Sequence, residues 1–200
     1  MIINQSLYDD IRTIIEQARS KVVQSVNRVM VITYWEIGRR IVEEEQHGEK
    51  RAEYGKYLIK DLSEKLTQEF GKGFNERELR RMRQFYNQFP IRDSVRPELS
   101  WTHYRLLLRV EDETTRNFYL NECAESSWSS RQLERQINSF YYQRLLASQD
   151  KELVKTEAES NNQIIKPADL LKNPYILEFL DLKENTAYLQ VSHRSSEVSP

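Results

Sequence analysis

Arg77, Arg80, Gln84 and Asn87 fall at i, i+3, i+7 and i+10, with Arg83 flanking the row. On a helix these positions share one side, opposite Leu79, Met82, Phe85 and Phe89. Guanidinium forks suit phosphates or guanine edges, and amides suit adenine, so the row carries the groups that a groove-reading helix needs. In this reading Arg77, Arg80, Arg81 and Arg83 hold phosphates, Gln84 and Asn87 touch base edges, and Lys72 adds a cation from the preceding turn. Between Lys72 and Arg109 nine basic residues stand against four acidic ones, a local charge of +5 that the whole-chain value of -1 conceals. A helix that is merely solvated presents the same Arg-rich face, so spacing alone leaves both readings open.

A second stretch repeats the pattern. Phe74-Asn75-Glu76-Arg77-Glu78-Leu79-Arg80-Arg81 is echoed by Trp128-Ser129-Ser130-Arg131-Gln132-Leu133-Glu134-Arg135, each reading aromatic, cap, x, Arg, x, Leu, x, Arg. In the second copy Leu133, Ile137, Phe140 and Tyr141 are expected to face a core, leaving Arg131, Arg135, Asn138 and Tyr142 on the other side. Arg131 and Arg135 then form a second contact row.

Other chemistry finds little support. His47, His103 and His193 are scattered along the chain and fall in no established metal-ligand motif, so no metal and no cofactor are expected. His103, beside Trp101 and Tyr104, reads as a packed or hydrogen-bonded side chain. Asp181-Leu182-Lys183 spells the D-x-K of metal-dependent nucleases, but it follows a helical pattern and no strand bearing an acidic ligand precedes it, so catalysis is not assigned to it. No Walker loop, dinucleotide fingerprint or nucleophile elbow is present. Trp35, Trp101 and Trp128 lie at helix spacing beside aliphatic residues and are assigned to packing rather than base stacking.

These side chains need helices to hold them. Apolar positions from Leu7 through Ile41 recur at steps of three and four, giving one long helix to about Glu45 with a kink expected at Gly38. Tyr57, Leu58, Leu62, Leu66 and Phe70 define a second helix, stopped by Gly71 and Gly73. Asn75 caps a third, which Pro90 ends. Helix, Gly71-Lys72-Gly73 turn and capped helix together follow the order of a helix-turn-helix. Residues 91–99 read as a loop, after which Ser100, Asp112 and Ser129 cap helices over 101–110, to about Glu125 and over 130–146.

Residues 147–166 are polar with weak periodicity and read as a linker or a solvated helix end. Residues 167–190, with a helix pair broken before Pro174, are expected to lead into a further domain, and the Ser-rich 191–200 to fray. The helical domain proper is thus 1–146.

Composition agrees with an all-α fold: a multi-helix domain with a long N-terminal helix and helix-turn-helix-like segments. The five glycines all lie at or before Gly73, which disfavours turn-rich β architectures. Charged residues make up 30% and hydrophobic residues 38%, enough for a core beneath a solvated surface. Cys123 is the sole cysteine, so no disulfide forms within the chain and a reducing cytoplasm fits. Neither a secretory leader nor a membrane span is expected.

The motif blocks carry a family resemblance. Tyr34-Trp35-Glu36-Ile37-Gly38-Arg39-Arg40-Ile41, Phe70-Gly71-Lys72-Gly73-Phe74, Leu79-Arg80-Arg81-Met82-Arg83-Gln84-Phe85-Tyr86, Leu99-Ser100-Trp101, His103-Tyr104, Trp128-Ser129 and Glu178-Phe179-Leu180 occur in order. Over about Leu7 to Leu182 the chain resembles the N-terminal domain of the YhcG-type proteins, a bacterial family whose full-length members end in a PD-(D/E)XK nuclease domain. The resemblance implies an α-helical domain for nucleic-acid recognition or assembly that delivers a nuclease to its target. The family's strands with their metal ligands have no counterpart in 191–200, so the expectation is a targeting domain without its catalytic part, with DNA as the partner. The alternative is an oligomerisation or interaction module. In it the long helix, with Tyr34 and Trp35 in its apolar stripe, pairs with a second copy or with a separate nuclease subunit. Against both stands the possibility that the stripe simply folds back on the chain's own later helices.

Overall fold

The computed structural model describes residues 5–47, 51–91, 95–96, 98–160 and 174–180. Among these, all regular structure is helical: α1 Gln5–His47, α2 Arg51–Phe70, a 3-10 turn Lys72–Phe74, α3 Glu76–Gln88, α4 Trp101–Leu107, α5 Glu113–Glu125, α6 Ser130–Asn138, α7 Tyr141–Ala147, α8 Lys151–Ser160 and α9 Pro174–Phe179. No described helix is long and apolar enough to cross a membrane.

The starts of the helices follow the expected caps. The Asn75 side chain accepts the Glu78 amide at 3.2 Å, Asp112 accepts the Thr115 amide at 2.7 Å, and Ser129 accepts the Gln132 amide at 3.1 Å. Each bond satisfies a donor that the first helical turn leaves unpaired. At Ser129 the Gln132 side chain also accepts the Ser129 amide at 2.6 Å, closing a capping box.

α1 is unbroken through Gly38 and packs chiefly along α3. The glycine serves close approach: a Cβ at position 38 would stand 2.0 Å from the Met82 carbonyl oxygen. The two backbones therefore cross nearly in contact, and Met30, Val31, Tyr34, Leu79, Met82 and Phe85 are sealed between them and α4. Trp101 is the aromatic centre, edge-on to Tyr34 at 5.0 Å and to Phe85 at 5.5 Å, and Tyr104 lies 4.6 Å from Phe85. Trp35 is buried as well, its indole N–H donating to the Phe89 carbonyl at 2.6 Å. Tyr34 and Trp35 are thus core residues, which removes them from the expected partner-binding stripe. The folding back of the stripe is real from Val23 to Ile41, with Val29 left exposed. It does not extend to the first turns, where Leu7, Ile11, Ile14 and Val22 are exposed.

Two further expectations need correction. The helix expected over 130–146 is divided into α6 and α7 at Phe140, which takes a left-handed conformation with φ 54°. Phe140 is exposed rather than in the core, whereas Tyr142, expected outside, is half-buried against Phe118 with ring centroids 4.7 Å apart. The turn re-aims the chain so that Tyr141 enters the core and α8 can pack on α7. Within the stretch read as a linker or a solvated helix end, residues 151–160 form the helix α8, whose Ala158 is buried and whose Glu157 pairs with Arg144 at 2.8 Å. Residues 161–173 and 181–200, including Asp181-Leu182-Lys183 and His193, lie outside the described residues, as do Arg92, Asp93 and Pro97.

His103 has the packed role expected of it. The Ser100 amide donates to Nδ1 at 3.1 Å, Nε2 stands 3.0 Å from the Trp128 carbonyl, and the ring joins the start of α4 to that of α6. Nδ1 must therefore be the acceptor and Nε2–H the donor. Burial holds its pKa down at about 4, against a hydrogen bond to Trp128 that pulls it up. The unfolded chain takes up this proton near pH 6.5 and the folded one only near 4, so stability is full above about pH 6.5 and declines as pH falls through that window. This ring alone should cost about 2 kcal/mol between pH 7 and pH 5. Urea midpoints at the two pH values check it. His103→Gln should lose most of the difference, and an undiminished difference would assign it to other groups.

Candidate nucleic-acid interface

The turn that precedes α3 is built by its glycines. Gly71 has φ +89°, a backbone conformation that costs any other residue about 1 kcal/mol or more. Gly73 is buried where a Cβ would meet the Glu178 side chain at 3.1 Å, so α9 sits against the turn. Lys72, between them, is exposed.

α3 is sharply two-faced. Leu79, Met82 and Phe85 are fully buried, while Arg77, Arg80, Gln84 and Asn87 are exposed and line one shallow surface depression with Glu76, Arg81 and Arg83. The depression unites the residues singled out by spacing, but their partners divide them. Arg77 and Asn87 point into it from an exposed surface. Arg80 holds Glu76 at 2.8 Å across one helical turn, an exposed pair that exchanges readily with solvent or another anion. Arg81 is largely buried and hydrogen-bonded to the buried Glu78, so its guanidinium is already engaged within α3. Arg83 reaches Glu45 at 2.7 Å and ties α3 to the end of α1. Gln84 donates to the Leu108 carbonyl at 3.0 Å, which fixes its amide against the end of α4.

Arg83→Ala should therefore act mainly on stability. Thermal unfolding should show a loss of about 1 kcal/mol, with less effect on any anion bound at Arg77. A variant as stable as the parent would remove the strut from this account.

The second row forms a neighbouring depression lined by Arg131, Glu134, Arg135, Asn138 and Ser139. Arg131 is exposed at the start of α6, and Leu133 is fully buried, so the echoed motif has the same cap, core leucine and outward arginine as the first. The end of α4 stands between the two depressions: Gln84 of α3 bonds to Leu108, and Arg109 pairs with Glu134 of α6 at 3.7 Å.

Arg105 and Arg109 belong to the basic segment, but their spacing alone does not place them beside the α3 row. The structure sets Arg105 among Arg77, Arg81 and Arg109, with its guanidinium 4.7 Å from the Tyr175 ring centroid. Its pKa is lowered first by burial, with those three cations adding to the effect and Glu78 opposing it. Convergence of like charge on a partly buried guanidinium is unfavourable in isolation and is relieved by an anion. The i, i+4 spacing of Arg105, in the last turn of α4, and Arg109, two residues past its end, was the available signal. The three tryptophans are buried and offer no stacking platform, as expected. No group of acidic, histidine or cysteine residues among the described residues can hold a metal ion.

The fold and this surface define an all-helical domain that displays cations from two similarly capped helices beside the end of a third. Residues 10–144 match the DUF1016 N-terminal domain family, and the chain belongs to it. It is also 37% identical over 212 residues to the Escherichia coli (strain K12) protein named "Putative nuclease YhcG", an alignment that covers 90% of this chain and 56% of that protein. The chain thus spans little more than half the length of this relative. No solved structure matches it.

Proposed function

We propose that this domain binds nucleic acid, with DNA as the expected form, and serves as the targeting part of a YhcG-type nuclease system. The observation that carries the reading is the exposed row Arg77, Arg80 and Asn87 on α3, set beside Arg105 and Arg109 and continued by Arg131 on α6. In this reading Arg77, Arg80, Arg109, Arg131, Arg135 and Lys72 take phosphates, and Asn87 takes a base edge. Gln84 keeps its amide carbonyl for a base while its NH2 stays on Leu108. α2, the glycine turn and α3 supply the order of a helix-turn-helix, with α3 as the groove-facing helix. The name of the E. coli relative supports nucleic acid as the partner.

A cytoplasmic setting accords with Cys123, which is buried with its thiol pushed up to about 12 by desolvation and is unsuited to redox chemistry. No catalytic residue is assigned to the described residues. Fluorescence anisotropy on labelled duplex and branched DNA with Mg2+ present, and product length read on a gel, tests the proposal. Binding without cleavage is expected; absence of binding at low salt would overturn it.

The alternative reading, a module for assembly with another copy or a nuclease subunit, is favoured by one separate observation: the uncovered apolar side chains in the first turns of α1.

A further inference from the structure

From residue 5 to residue 22 every residue except Ser20 is exposed, and no described element covers any face of α1 there. The segment is about 27 Å long at the ordinary helical rise. A helix of this length without tertiary cover is marginal in water. It nevertheless carries Leu7, Ile11, Ile14, Ile15, Ala18 and Val22, which fall within an arc of about 100° on the helix. Such a stripe specifies an apolar occupant, and its order shows which one.

The stripe is a palindrome about the midpoint between Ile14 and Ile15. Leu7 mirrors Val22, Ile11 mirrors Ala18, and Ile14 mirrors Ile15. A helix laid antiparallel on such a stripe meets an apolar side chain at every layer when it is a copy of the same sequence. The charges agree. Asp10 and Lys21 lie on the same edge of the stripe, and a two-fold antiparallel pair brings like edges together, so Asp10 of each copy meets Lys21 of the other. On the opposite edge the same two-fold brings Arg12 to Arg19 of the other copy, a like-charge contact that Glu16, 3.0 Å from Arg12 on its own helix, offsets. A parallel pair brings unlike edges together and aligns the two helix dipoles, losing both advantages.

We propose that residues 5–22 of α1 form an antiparallel, two-fold pairing surface for a second copy of this chain, centred between Ile14 and Ile15. The inference goes beyond the nucleic-acid reading and stands apart from it, since none of these residues borders the basic depressions.

Sedimentation equilibrium of the full chain over a wide concentration range tests it. The expected result is a monomer–dimer equilibrium that shifts to dimer at high concentration. Ile14→Asp with Ile15→Asp places four carboxylates at the centre of the pair and should weaken association by at least about a hundredfold. The core should be unaffected, because neither residue contributes to it. Asp10→Lys should weaken association several-fold, and adding Lys21→Asp should restore it. A chain that stays monomeric up to its solubility limit overturns the proposal, as does a dimer indifferent to the Ile14 and Ile15 changes. Failure of the charge swap to restore pairing overturns the antiparallel register.

Discussion

Gly38→Ala should destabilise the domain by about 3 kcal/mol or more, although alanine is the better helix former by about 1 kcal/mol. The added methyl carbon would sit 2.0 Å from the Met82 carbonyl oxygen and 2.7 Å from the carbonyl carbon. A flexible side chain can turn away from such a clash; a hydrogen-bonded helix backbone cannot. α1 must instead lift from α3, and the gap opens at Leu79, Met82 and Phe85, all fully buried. Since α3 also carries the basic row, the same displacement would tilt that row relative to α4 and loosen the hold of Gln84 on Leu108. Urea and thermal unfolding check the prediction, with a fall in Tm of about 6 °C or more expected for a chain of this size. The contrast is Gly71→Ala, where nothing lies within 4 Å and only the positive φ opposes the change. A Gly38→Ala protein more stable than its parent would mean that the two helices do not cross so closely.

The second large effect concerns the surface. Arg77→Ala combined with Arg80→Ala should weaken DNA binding by about 2 kcal/mol, roughly thirtyfold, taking about 1 kcal/mol for each phosphate contact. Stability should change by no more than about 1 kcal/mol, because Arg77 is exposed and the Arg80–Glu76 pair is a solvated contact within one helix. Arg81→Ala should do the reverse. It leaves Glu78 buried without its cation, and so its loss should appear in folding before it appears in binding. The two variants separate cations that build the site from those that face a ligand.

That division was not visible in the spacing of the arginines. Helical periodicity places Arg77, Arg80, Gln84 and Asn87 on the outer side, and they are there. It cannot say that Arg83 spans to Glu45, thirty-eight residues away, or that Gln84 reaches the end of α4, because both depend on how helices pack. Local chemistry was legible for the same reason that packing was not. Asn75, Asp112 and Ser129 act on amides within a few residues, so their caps follow from sequence alone. Gly38 in a helix suggests a kink from sequence alone, and only the structure shows that the absence of a side chain there lets α1 approach α3. Phe140 gave no warning, because a left-handed aromatic residue runs against its own preference and is imposed by the packing of Tyr141 and α8. The apolar stripe of α1 was legible as a stripe, and only the structure divides it at Val23 into an uncovered part and a part that is buried apart from Val29.

The most direct test is the salt dependence of DNA binding by the intact chain, beside the Arg77→Ala, Arg80→Ala protein. About six phosphate contacts give a slope of log K against log salt near about -5, and removal of two arginines should make it shallower by about 2. A steep slope that falls in this way places the interface on α3. A slope unchanged by the double substitution, or no binding at low salt, would contradict that placement.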